Sequence, residues 1–214
     1  IFLLVPIFCL AFSDQITGDK TTRTKKSNEN SKSVLDFKIE GISIYENAID
    51  YFSKETITGY KQYNEASAYT TYDILGDFEK YYGIQITAKK NDKKNFKIYG
   101  ISGAIIYGQQ GIPNSENFKK CEQDYNSILK VFDNEFSKYK TGTFDEYGDN
   151  KGIKRRLKTI YEFEDESMIF LFCVIHGDKK KKKENLWDSM RVSLMSKEIV
   201  KTIKKKYGKD ALYN

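Results

Sequence analysis

From Ser115 onward, apolar residues recur at Phe118, Cys121, Tyr125, Ile128, Leu129, Phe132 and Phe136, at steps of three, four, three, one, three and four. This is a single apolar stripe over about 22 residues, the period of an amphipathic α-helix. A helix of that length must bury its stripe against something. The segments on both sides of it alternate as strands do, so the chain is constrained to a long helix lying on a sheet.

Three strand candidates precede the helix: Ala68 to Leu75, Tyr82 to Lys89 and Phe96 to Tyr107, with Asn91 to Lys94 as a hairpin turn by composition. Three follow it: Lys154 to Phe163, Met168 to His176 and Leu186 to Met195. Between Phe136 and Lys154 the chain is polar and Gly-rich and reads as a connection. Asp36 to Ile44 alternates through Phe37, Ile39, Ile42 and Ile44 and predicts a further short strand, with Gly41 at a bend. Ser43 and Glu46 have capping-box spacing and predict a helix over Tyr45 to Phe52; Ser53 starts another short one toward Tyr63. Ser196 caps a final helix through about Lys206, with Ile199, Val200 and Ile203 on one face.

The expected fold is α+β. It has a mainly antiparallel sheet of six to seven strands, one long helix and two or three shorter ones. The order suggests two helix-plus-three-strand halves, although no residue pattern repeats between them, and the helices are expected on one face. Residues 34–214 read as one domain, and aromatics at 14% of the chain imply a packed interior.

Ile1 to Phe12 is an uncharged apolar run, too short to span a bilayer, and Ala11-Phe12-Ser13 has small residues where signal peptidase needs them. The expectation is a signal-peptide remnant over 1–13, cleaved after Ser13, and a periplasmic or extracellular mature protein. Residues 14–33 are polar, lack aromatics and read as a disordered leader. After cleavage the only cysteines are Cys121, on the apolar face of the long helix, and Cys173, in the most hydrophobic strand. Export leaves such a pair open to oxidation. A disulfide and two separately buried thiols both fit the sequence; a catalytic thiol fits it poorly.

Of 36 basic residues only Arg23, Arg155, Arg156 and Arg191 are arginine, the side chain that forks onto phosphates and bases, which argues against nucleic acid as a partner despite the net charge of +6. The charge is unevenly placed. Residues 34–178 carry 19 basic and 23 acidic side chains, net −4, whereas 179–214 carry 12 and 4, net +8. Lys179, Lys180, Lys181, Lys182 and Lys183 run consecutively, and Lys201, Lys204, Lys205, Lys206 and Lys209 follow on the last helix. Brought together, they would form a patch for weak association with anionic envelope surfaces; a solvated loop is the plainer reading.

The sequence is poor in catalytic signatures. His176 is the single histidine, and three positions from Cys173 on a strand it points to the opposite face, so the two cannot share a metal. Ser127 with Lys130 and Ser137 with Lys140 have Ser-x-x-Lys spacing, a frequency expected by chance in so Lys-rich a chain. Gly100, Gly103, Gly108 and Gly111 complete no phosphate-loop pattern, and the acidic run Glu162 to Glu166 occupies a predicted turn. No catalytic, cofactor-binding or metal-ligating residue is assigned, and no cofactor is expected.

The segment Asp36 to Ile57, with IEGISI and DYFS, resembles the opening of an uncharacterised family of small signal-peptide-bearing exported proteins from AT-rich marine bacteria. Cys121 in a helix, Cys173 in a strand and Leu186-Trp187-Asp188 entering the next strand are similar too, while Tyr45-Glu46 stands where the family usually has Gly-Asp. The resemblance implies export and no particular activity. The expected function is non-enzymatic ligand or envelope binding; the alternative is a small exported enzyme with a carboxylate, Tyr and Lys site.

Overall fold

The structure is a computed structural model that describes residues 33–60, 62–63, 68–107, 114–147, 153–177 and 187–212, all within one compact body. The export segment, the polar leader and Lys179 to Lys183 lie outside the described residues.

Among the described residues, eight strands form one antiparallel sheet: β1 (Gln62–Tyr63), β2 (Tyr69–Leu75), β3 (Gly83–Lys89), β4 (Ile98–Tyr107), β5 (Lys140–Tyr147), β6 (Ile153–Glu162), β7 (Met168–His176) and β8 (Asp188–Met195). Their spatial order is β1-β2-β3-β4-β8-β7-β6-β5. Two meanders therefore meet at the centre, where β4 pairs with β8. Among the described residues three helices accompany them: α1 (Lys54–Gly59), α2 (Asn114–Phe136) and α3 (Lys197–Tyr207). The long helix α2 carries the chain from the central strand β4 to the edge strand β5.

Register sorts the residues onto two faces. Ile101, Leu194, Ile169 and Tyr161 are successive partners across β4, β8, β7 and β6, and they share the face that receives Cys121, Tyr125 and Phe132 of α2. Their neighbours Ser102, Ser193, Phe170 and Ile160 share the other. At one end of that second face, Val200 and Ile203 of α3 and Leu212 of the turn after it pack on Ile160, Met168, Phe170 and Met195. The helices thus lie on both faces, not one. The cause is β7 itself, where Met168, Ile169, Phe170 and Leu171 run consecutively and are all buried. A strand apolar on both sides needs cover on both.

Two other differences from the sequence expectation are local. Lys140–Tyr147 forms strand β5, not a connection. Its residues alternate between half-buried and exposed, as at a sheet margin, and so lack the apolar run that marks β7. Residues 36–52 form turns instead of a strand and a helix. Glu40 and Gly41 both have positive φ, and Ile39 and Ile42 exchange backbone hydrogen bonds of 3.0 Å around them, a two-residue hairpin turn. Glu46 does accept the Ser43 N–H at 2.8 Å, half of a capping box. Tyr45, at φ 69°, turns the chain away, and only the short 3-10 turn Ala48–Asp50 follows. By contrast Ser53 caps α1 through the Thr56 N–H, and Ser196 caps α3, which ends at Gly208 with φ 96°.

Candidate functional site

Beyond the end covered by α3, the second face of the sheet is polar. Thr71, Thr87, Gln85, Ser102, Ser193 and Arg191 stand there on neighbouring strands, each at an alternate position whose sequence neighbours point into the α2 core. Where this polar surface meets α3 there is a cavity of about 190 Å³. Its floor is Gly100, Ser102 and Ser193, its apolar side Phe172, Met195, Ile199 and Ile203, and its rim Tyr69, Gln85 and Arg191. α3 is seated close to Gly100, where a Cβ would sit 3.1 Å from Ile199 Cδ1 and that side chain would have to shift slightly.

Hydrogen bonds fix the polar groups. Ser102 Oγ donates to Ser193 Oγ at 2.7 Å, and the Thr71 and Thr87 hydroxyls are 2.7 Å apart. Asp73 Oδ1 accepts from Gln85 Nε2 at 2.6 Å, which turns Gln85 Oε1 toward Arg191 Nη1, 3.1 Å away. Arg191 Nε donates to Ser189 Oγ at 3.3 Å. Burial raises the Tyr69 hydroxyl above the ordinary tyrosine pKa, so it is a protonated donor at neutral pH. The described lining holds hydroxyls, an amide, a guanidinium and apolar groups, with no carboxylate, imidazole, thiol or amine.

Cys121 and Cys173 meet at disulfide-bonding distance, Cα atoms 5.8 Å apart, and both are fully buried between α2 and β7. A buried disulfide joining a helix to a central strand is a structural tie. Lys179 to Lys183 fall outside the described residues. On α3, Lys204 pairs with Glu162 at 3.0 Å and Lys201 with Glu166 at 3.2 Å, so the acidic turn answers part of the helix's charge. Lys205, Lys206 and Lys209 are exposed. The His176 backbone N–H donates to Asp188 Oδ1 at 2.9 Å, and Ser127 donates to the Gln123 carbonyl within its own helix. No group of His, Cys, Asp and Glu among the described residues is arranged to hold a metal ion.

Nothing in the sequence reading picked out Arg191, Gln85, Ser102 or Ser193. The available signal was the alternation Ser189, Arg191, Ser193 in an otherwise apolar strand. No family model, curated protein or solved structure matches the chain.

Proposed function

We propose that this chain is an exported binding protein that takes a small molecule into the cavity between the sheet and α3. The observation that carries the reading is the chemistry of the described lining. Hydroxyls, an amide and a guanidinium can orient a ligand, but a general base or an activated nucleophile needs a carboxylate, imidazole, thiol or amine beside it. The site is also small: pockets for drug-sized ligands run to roughly 300–1,000 Å³.

The test is a thermal-shift screen of small acids, amides, alcohols, amines and sugars against the wild type and a cavity-filling Ser102→Phe variant. A ligand present at 100 times its Kd stabilises by about 2.7 kcal/mol. Wild-type stabilisation lost in Ser102→Phe supports the reading. A wild type indifferent to every class ends it.

Export over Ile1 to Phe12 with cleavage after Ser13 belongs to the same proposal. Protein made from the full-length gene should begin at Asp14. Exposed Lys205, Lys206 and Lys209 favour an added weak association with anionic envelope surfaces, with Lys179 to Lys183 contributing. Binding to anionic vesicles at low salt that disappears near 0.5 M salt would support it. Vesicles ignored even at low salt would remove it.

A further inference from the structure

We propose that the ligand of this cavity is a small neutral polyol, its hydroxyls on the Thr71–Thr87 and Ser102–Ser193 pairs and its hydrocarbon part against Phe172, Met195, Ile199 and Ile203; the proposal deepens the binding reading above and rests on it.

Six of the described lining residues carry a hydroxyl: Tyr69, Thr71, Thr87, Ser102, Ser193 and Thr202. Four of them form two bonded pairs, Thr71 with Thr87 and Ser102 with Ser193. A hydroxyl has one proton and two lone pairs, so a bond between two hydroxyls uses one proton and one lone pair and leaves one proton and three lone pairs over. Each pair therefore offers a donor and acceptors at one place. A carboxylate or ketone only accepts and an ammonium only donates, whereas a ligand hydroxyl does both from a single rotatable atom. Arg191, already held by Gln85 and Ser189, takes no part in this assignment.

Register sets how far apart the pairs stand. Thr87 is opposite Gly100, and Gly100 is opposite Met195, so β4 contributes no side chain between those two. Ser102, two residues along β4, is the diagonal neighbour of Thr87, at about 7–8 Å between backbones. A single ligand oxygen, bonding at about 2.8 Å on each side, falls short of that gap, and two oxygens on neighbouring carbons span it. Ile199 Cδ1 reaches down to the bare stretch at Gly100, which stands an apolar wall directly beside the hydroxyls. Hydroxyls on the sheet side and hydrocarbon on the α3 side, within about 190 Å³, describe a short-chain vicinal diol.

Calorimetric titration of the wild type with pentane-1,2-diol, with pentan-1-ol and with the dimethyl ether of the diol tests this without any variant. The alcohol lacks one hydroxyl, and the ether keeps both oxygens as acceptors but has no proton to give. The diol is expected to bind about tenfold tighter than either, the worth of one or two hydrogen bonds. Thr87→Val and Ser193→Ala should each remove most of that margin, with folding checked by their thermal transitions. If neither variant folds, the wild-type ratios still decide. Equal binding of diol and alcohol, or of diol and ether, overturns the polyol assignment, as does a margin that survives in both folded variants. Preference for pentanoate or pentylamine overturns it too. In each of these cases the cavity stays a binding site. If the diol fails but an acid, amide or amine passes the thermal-shift screen, the assignment again falls alone. No ligand of any class in either experiment overturns both.

Discussion

The two faces of the sheet are built from alternate residues of the same strands, yet among the described residues one is closed and the other half open. On the closed face, α2 is tied to the sheet along its length. Tyr107 donates to Asp124 at 2.6 Å, Asn117 to buried Asp188 at 3.0 Å, and Tyr161 to Asp133 at 2.7 Å, while Tyr125 and Thr159 share a hydrogen bond. Between these ties lie the disulfide and the rings of Phe132 and Phe136. On the other face α3 covers one end with a small apolar cluster, and beyond it the alternate positions turn to Ser, Thr, Gln and Arg. The same pleat can therefore hold a packed core on one side and a polar surface on the other, because successive side chains point to opposite faces. This comparison can be broken or sharpened by experiment.

The largest expected effect is on the closed face. Replacing Cys121 and Cys173 together by Ala removes a link between residues 52 apart in sequence and should cost about 4 kcal/mol on the chain-entropy model, read as a lower denaturant midpoint with a steeper slope, because the unfolded chain without the link is more extended. Non-reducing mass spectrometry of the protein should find both thiols consumed. A loss under about 1 kcal/mol would mean that the packing of α2, and not its covalent tie, closes that face.

Two glycines of β4 allow the faces to be compared directly. At Gly103, on the closed face, an added Cβ would come within 2.6 to 2.7 Å of the Tyr81 ring, whose burial pushes its hydroxyl pKa up to about 12. At Gly100, on the open face, the nearest atom is the end of Ile199, 3.1 Å away. Gly103→Ala should therefore cost about 1–3 kcal/mol, as overpacked cores do, and Gly100→Ala less, because a flexible side chain can give way. Equal losses would show that Ile199 of α3 yields no more readily than the buried Tyr81 ring.

How far the sequence reveals these faces depends on the signal each element carries. The period of 3.6 in α2, the apolar run of β7 and the β-rich apolar stretches of β2, β3, β4, β6 and β8 reflect burial, which is written directly in residue type. Strand β5 is only half-buried, so Thr141, Thr143 and Asp145 look like loop residues. The turn at Tyr45 depends on a positive φ that no β-propensity scale anticipates. The cavity is legible only in part. Ser189, Arg191 and Ser193 announce a polar face, but that α3 returns to roof one end of it is a tertiary fact. The disulfide was open in the sequence because pairing requires α2 to cross β7 at the right height, which the helix stripe alone does not set.

The next effect is electrostatic and belongs to the closed face's margin. Arg155 holds the Asp145 carboxyl below its ordinary pKa through paired hydrogen bonds of 3.0 and 2.9 Å, and its guanidinium stacks on Phe118 of α2 at 3.8 Å. The folded value lies below the unfolded one. The pair therefore stabilises fully above the ordinary carboxylate value of about 4, and its contribution is lost as pH falls through the folded value. Asp145 is more than a third exposed, so solvent screening keeps the effect under about 1 kcal/mol. Urea titrations at pH 7 and pH 3 should show a smaller acid loss in Asp145→Asn than in the wild type; identical losses would remove Arg155 from the set of ties.

The smallest effect concerns how α3 is fixed to the open face. Two ion pairs join it to the turn between β6 and β7, Lys204 with Glu162 and Lys201 with Glu166. They are not equivalent: Lys204 and Glu162 are 21% and 27% exposed, Lys201 and Glu166 58% and 47%. A pair in water gains little, because a high dielectric weakens the attraction and holding two long side chains costs entropy, so measured values run at about 0.2–1 kcal/mol. Lys204→Met should sit near the upper end of that range and Lys201→Met near zero. The Lys204→Met effect should fade in 1 M salt, where the Debye length is about 3 Å. If both variants lose more than about 1 kcal/mol and the loss survives salt, α3 is held by more than Val200, Ile203 and Leu212 on the sheet. If neither loses anything, the apolar cluster alone seats the helix, and the cavity it roofs can open by lifting α3 without breaking a charge pair.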